Sequence, residues 1–341
     1  MRTRRALVIG GGTAALASAY RLLRSDWEVV LPGAGTAAPV WEPPEVLTGA
    51  GTDAARRLGL LSALTERQQP RCHLVHVSTA GVPLAISPPP AQRRLVLCPN
   101  DVAEALRNEV GDDLTPQAAA VSAVTQDACG ATVRYSNGEN EWFDLVVDTN
   151  RPDKCVAPTW SVMSGRIQVE SACAVAMNDT DRSVRLHPLN EGDSVVSFTW
   201  RHSGDTPWPH AFTGLGWIVP DLLSHVDSSE SLHRRDITPA RPDRWAHGPI
   251  AVLGGDIWNV GQTTSLELVA AELLGDALDI FTDTSDALRW WERTLRPAVR
   301  RAQARDLAEQ EMMWDLPTTR SASSKRSRST SKRTTPTSPR S

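Results

Sequence analysis

Residues Ala6 to Ala15 read ALVIGGGTAA, and their order carries chemistry. Four apolar residues run into three glycines, and an alanine-rich apolar segment follows. The pattern Gly10-x-Gly12-x-x-Ala15 is the dinucleotide fingerprint with alanine in third place. The first glycine permits a tight turn, and the second lets the backbone approach a pyrophosphate. The small Ala15 lets a helix pack close to the strand. Thr13, Ala14 and Ala15 then form a first helical turn whose N–H groups face an anion. A second strand-to-glycine junction comes late, at Pro249 to Asp256 (PIAVLGGD). No Ser/His/Asp or paired-carboxylate constellation stands out. Cys72, His73 and His76 lie close together, but no second cluster with ligand spacing completes a metal site, and none is expected.

These residues need a parallel sheet to hold them. Strand, glycine turn and helix make the first unit, and Trp27 to Leu31 is its second strand. That strand departs from the fingerprint. The acid that should end it and hold ribose hydroxyls is absent, and Pro32-Gly33 follows; Glu28 lies at the wrong end. Helices are expected over 53–61, over 102–110 with Asn100 or Asp101 as cap, over 264–281, and from Thr284 to Glu311 with Pro297 as kink or boundary. Strands are expected at 72–78, 82–87 and 94–97. A meander over 119–147 turns at Ser136-Asn137-Gly138. Residues 166–240 read as a β-rich layer with strand-like pieces at 166–169, 184–186, 194–200 and 216–219.

Length and charge bound the rest. The chain has 341 residues, 40% of them apolar, enough for two packed domains or one large one. No apolar run reaches the length of a membrane span. Met1-Arg2-Thr3-Arg4-Arg5 before an apolar run imitates a signal peptide, but the glycines break that run early, so a cytoplasmic location is expected. The five cysteines are scattered, without a CxxC pair, and read as reduced and structural. The formal charge of −4 hides an asymmetry. Residues 318–341 are rich in Ser, Thr and Pro and carry seven basic residues and no acid. Removing those seven from the 36 basic residues leaves 29 against 40 acidic ones, a body charge of about −11. The tail is expected to be disordered, and nucleic acid is an expected partner only for that tail, if at all. Lysine is nearly absent from the body, where only Lys154 occurs.

In combination the segments resemble the FAD-dependent monooxygenases of the para-hydroxybenzoate hydroxylase type, over nearly everything up to about residue 310. Five stretches carry the resemblance in order: Gly10-x-Gly12-x-x-Ala15; Ala54 to Leu60; Pro99 to Leu106 with the meander ending Phe143 to Val147; Arg244 to Asp256; and Ala287 to Arg301. The resemblance implies an α/β fold, a Rossmann-like FAD-binding domain with an inserted β-rich substrate domain. The expected division is 1–70, 92–155 and 246–315 for FAD, 71–91 and 156–245 for substrate, and 318–341 as tail. It implies FAD as cofactor, with Gly255-Asp256 at its ribityl and pyrophosphate part and Gly261-Gln262-Thr263 beside its ring, where a helix N-terminus stabilises negative charge. It further implies NAD(P)H as reductant and transfer of one oxygen atom, through a flavin hydroperoxide, to a small apolar or aromatic substrate. Trp200, Phe212 and Trp217 are the pocket candidates.

Departures from the family pattern give an alternative. Gly33 replaces the ribose acid, Asp148-Thr149-Asn150-Arg151 replaces Gly-Ala-Asp-Gly, Pro99 stands for an arginine, and Ile257 to Val260 replaces a small-residue stretch, placing the Trp258 ring where the family leaves room. A binding module of the same fold without catalysis is the second reading. A flavin-dependent halogenase is the third, on the faint likeness of Gly216-Trp217-Ile218-Val219-Pro220, and it lacks a lysine in the N-terminal part.

Overall fold

The computed structural model describes residues 2–33, 40–115, 117–127, 129–150, 160–190, 192–201, 208–227, 232–237, 243–258 and 260–314. In chain order the first elements are β1 (Arg5–Ile9), α1 (Thr13–Leu23), β2 (Glu28–Val30), β3 (Glu45–Val46), α2 (Gly49–Arg57), α3 (Leu61–Glu66), β4 (Leu74–Val77), β5 (Pro83–Ser87), β6 (Val96–Leu97) and α4 (Pro99–Val110). Then come β7 (Val121–Gln126), β8 (Ala131–Tyr135), β9 (Asn140–Phe143), β10 (Leu145–Asp148), β11 (Trp160–Ile167), β12 (Ala174–Asp179), β13 (Arg182–Pro188) and β14 (Ser194–Arg201). The last are α5 (Val219–Asp227), β15 (His233–Ile237), β16 (Ala246–His247), β17 (Ile250–Val252), α6 (Gly255–Trp258), α7 (Thr264–Ile280) and α8 (Thr284–Trp314).

A five-stranded sheet, β16-β17-β10-β1-β2, carries the two glycine turns. Its inner strands run parallel, with Ala6 beside Leu145 and Val146 beside Ile250. They are continuous apolar runs because both faces are covered. Ala6, Val8, Val29, Leu31, Leu145 and Val147 pack on the helical side with α1 and α7 residues such as Leu16, Leu268 and Ala271. Leu7, Ile9, Val30 and Val146 pack against Val133, Tyr135 and Phe143 of the meander. The alternation follows the two-residue period of a strand.

A seven-stranded sheet, β15-β11-β14-β13-β12-β4-β5, forms the second layer. Its strands come from 74–87 and 160–237. Its core joins Met163, Phe198, Trp200 and Phe212 with Val219 and Leu222 of α5. One expectation fails here. Residues 216–219 are not a strand: Trp217 has φ of +59° and α5 starts at Val219. Pro220, in the first turn, suits a helix start, where no N–H is needed. The cap of α4 also differs, because the helix starts at Pro99 and the Asp101 carboxylate accepts the Cys98 N–H. Pro297 lies inside α8. The basic tail, 318–341, lies outside the described residues.

Candidate functional site

The opening loop is built against β10. Gly10 has φ of +125°, a conformation that L side chains rarely adopt, and a Cβ there would fall on Thr149 Oγ1. Thr149 donates both its N–H (2.9 Å) and its hydroxyl (2.8 Å) to the Ile9 carbonyl, so it ties the ends of β1 and β10 together. Gly12 is the N-cap of α1, and no side chain caps that turn. A Cβ on Gly12 would meet nothing within 4 Å. The first turn, Thr13-Ala14-Ala15, therefore keeps its N–H groups for a ligand. Thr13 donates to the Pro99 carbonyl (3.3 Å) and so fixes α1 against α4.

The late junction touches the first. Gly254 has φ of +142°, and a Cβ there would lie 3.6 Å from the Thr149 carbonyl oxygen and 3.9 Å from Ala14 Cβ. Thr149 is thus the hinge between the two glycine turns. Gly255 opens α6 with no room for a side chain, since a Cβ would fall on Thr263 Cγ2. That contact carries the chain of neighbours onward to the start of α7. The Asp256 side chain lies outside the described residues. Trp258, expected to crowd the cleft, is fully buried in the core against Trp245, with ring centroids 5.8 Å apart. Its carbonyl accepts from Gln303 (2.6 Å), which pins α6 to α8.

At the start of α7 the backbone donors are already taken. The Glu45 carboxylate accepts the Thr263 N–H (3.1 Å) with one oxygen and the Thr264 N–H (2.9 Å) with the other. Asp306 of α8 accepts the Gly261 N–H, and Glu267 accepts the Gly255 N–H (3.0 Å). All three acids are buried. Burial pushes the Glu45 and Glu267 carboxyls up to about 7 against the pull of their N–H partners, and it raises Asp306 as well. Arg235 of β15 lies 3.6 Å from Glu42 and brings positive charge to this acidic end. Glu45 is held in place by its neighbours. It pairs with Leu97 in the β3–β6 ladder, Thr48 donates its N–H to Ser265 Oγ (2.9 Å), and Gly51 packs directly on Ser265.

The residues singled out from sequence separate into two groups. Gly10 packs on Thr149 and Ala15, and Gly254 joins Thr149 to Ala14. Gly12 and Thr13 start the same turn of α1 without touching Gly255, which packs on Thr263, while Gly261, Gln262 and Thr263 form the turn into α7. Gly261 and Gln262 are exposed, whereas Thr263 is buried. Trp200 and Phe212 are buried in an aromatic cluster with Phe198 and Trp208, with centroids 5.0 to 5.9 Å apart. Trp217 is half-buried, and its ring lies where a Cβ on Gly81 would go. Glu28, the first residue of β2, pairs with Arg5 (3.0 Å), at the end of the strand opposite Pro32-Gly33. Sequence reasoning gave no site role to Thr149, Glu45, Glu267 or Asp306. The one available signal was an acid set in an apolar context: Glu45 before Val46-Leu47, and Glu267 between Leu266 and Leu268.

No protein-family model matches the chain. A flavin-dependent monooxygenase from an unknown prokaryotic organism is 24% identical over 221 residues, which are 54% of this chain and 56% of that protein. The match thus spans little more than half of that relative. The solved structure of the tetracycline destructase Tet(51) superposes with a TM-score of 0.77 at 17% identity, covering 92% of each chain. HpxO of Klebsiella pneumoniae, solved with FAD and uric acid, gives 0.71 at 19% identity, covering 91% of this chain and 92% of that one. The tetrameric form of 2-methyl-3-hydroxypyridine-5-carboxylic acid oxygenase gives 0.73 at 18% identity, covering 92% and 94%. The chain has the α/β fold of the FAD-dependent monooxygenases of the para-hydroxybenzoate hydroxylase type.

Proposed function

We propose that the chain is an FAD-dependent monooxygenase. The observation that carries this is the continuous contact from the uncapped start of α1, through Thr149 and Gly254-Gly255, to the start of α7. Two helix N-termini lie along one edge of a parallel sheet, where ligands of such sheets bind. Gly10, Gly12, Thr13, Ala14 and Ala15 take the diphosphate, because Gly12 leaves open space and the turn lacks a side-chain cap. Gly255, Asp256 and the turn Gly261-Gln262-Thr263 take the remainder. The diphosphate end fits FAD. The α7 end does not fit as it stands, because Glu45 and Asp306 hold its N–H groups.

FAD, when bound, would supply the redox and oxygen chemistry, with NAD(P)H as reductant. The chain's own residues bind, orient and exclude water. The substrate is a small apolar or aromatic molecule that enters between the seven-stranded sheet and the turn into α7. Of the pocket candidates, the half-buried Trp217 is its proposed aromatic contact, and Trp200 and Phe212 form the buried cluster on which Trp217 packs. HpxO in complex with uric acid and an oxygenase of a pyridine carboxylic acid support a ring-shaped substrate. No helix among the described residues is long and apolar enough to cross a membrane. The free thiols of Cys72, Cys98, Cys129 and Cys173 support the reducing cytoplasm as location.

The filled donors at α7 favour a second reading, a flavin- or ligand-binding module of the same fold without turnover. One experiment separates the two. Purified protein is incubated with FAD and then with NADPH or NADH under air. Flavin retention with oxidation of the nicotinamide, accelerated by small aromatic acids, supports the monooxygenase. Retention without oxidation leaves the binding module. Absence of any flavin binding overturns the monooxygenase and the flavin-binding form of the module.

A further inference from the structure

The two helix N-termini at the sheet edge differ in one respect. The first turn of α1 is bare, while the first turn of α7 is capped by a carboxylate 218 and 219 residues away in sequence. Both oxygens of Glu45 are engaged, one on each N–H, so the cap has the two-point form that a ligand's paired acceptors would take. An ordinary helix cap is a local residue at the surface; this one is buried beside a second buried acid, Glu267, on the Gly255 N–H. Asp306, also buried, accepts the Gly261 N–H with one oxygen. Burying acids side by side is unfavourable unless donors offset it, and here the donors are those the ligand end needs.

We propose that Glu45 is an internal plug of the cofactor site: its carboxyl group fills the donor pair at the start of α7, and a flavin seats fully only when Glu45 leaves. This rests on the FAD reading above. The plug acts on one end of the ligand. The uncapped turn of α1, with open space at Gly12, accepts a diphosphate whether Glu45 is in or out. FAD affinity is therefore limited by displacement of Glu45, and ADP affinity is not. Glu45 is anchored on the short ladder β3–β6, whose backbone can stay in place while the side chain swings away.

The test is calorimetric titration of FAD, and separately of ADP, into wild type, Glu45→Gln and Glu45→Ala. Glutamine keeps the shape but offers one acceptor oxygen and an NH2 group to two donors, so it guards the fold if alanine does not. Both variants are expected to bind FAD about ten-fold tighter than wild type or more, with ADP affinity unchanged, since at least one buried hydrogen bond to the α7 donors no longer competes. Equal FAD affinity in all three proteins overturns the plug while the FAD reading stands. Weaker FAD binding in the variants also overturns it and makes Glu45 a ligand contact. If no protein binds FAD or ADP, the FAD reading falls and the plug with it.

Discussion

Gly10 shows how little room a single residue has at this site. Its φ of +125° and the Thr149 hydroxyl both act against a side chain. Gly10→Ala is expected to destabilise the fold by about 2 kcal/mol or more and to abolish ADP binding, as read by thermal melts and calorimetry. Unchanged melting would show that Thr149 can move aside at no cost. The buried acids make a second prediction. Glu45 and Glu267 are raised by burial to about 7, so the folded chain keeps protons that the unfolded chain releases near the ordinary carboxylate value. Their contribution to stability is present at low pH and is lost as pH rises from about 4.5 through about 7. His187, lowered by burial and by Arg185 to about 4, pulls the other way, since it gains stability as pH rises over the same range. The difference between wild type and Glu45→Gln isolates the acid. Wild type should lose on the order of a few kcal/mol relative to the variant between pH 5 and 8 in urea titrations. Parallel curves would contradict the buried ionisation.

At the scale of elements, α7 and α8 hold the site from behind. Trp291 is fully buried and donates to the Ala270 carbonyl (2.9 Å), joining the two helices across the core. Trp291→Ala should cost about 3–5 kcal/mol through the cavity and the orphaned carbonyl, measured by denaturant unfolding. A loss under about 1 kcal/mol would mean that the helices repack freely around the gap. Much of this layer was legible beforehand. The α1 turn, the meander, α7 and α8 follow from apolar period, glycine placement and turn residues, which are local signals. The rest depends on partners distant in sequence. Strand β3 is two residues long and exists because Val96 and Leu97 pair with it. The turn at Gly216-Trp217 looked extended because its apolar residues do not alternate differently from a strand; only Pro220 and the positive φ at Trp217 redirect it into α5. Glu45 could not be assigned a role from sequence, because its donors lie more than 200 positions away.

At the scale of the molecule, the fold brings an N-terminal and a C-terminal glycine turn onto one sheet edge, with Thr149 between them. The departures at Gly33, Asp148-Thr149-Asn150 and Ile257 to Val260 leave that convergence intact, since sheet and helices rest on apolar packing. They have been absorbed: Thr149 braces the loop, and Trp258 fills core space.

The most direct measurement is a titration of FAD into the purified 341-residue chain, followed by flavin fluorescence. The account predicts saturable quenching at one site per chain, competed by ADP. Flavin fluorescence that stays unchanged up to the solubility of FAD, in wild type and in Glu45→Gln alike, would contradict it.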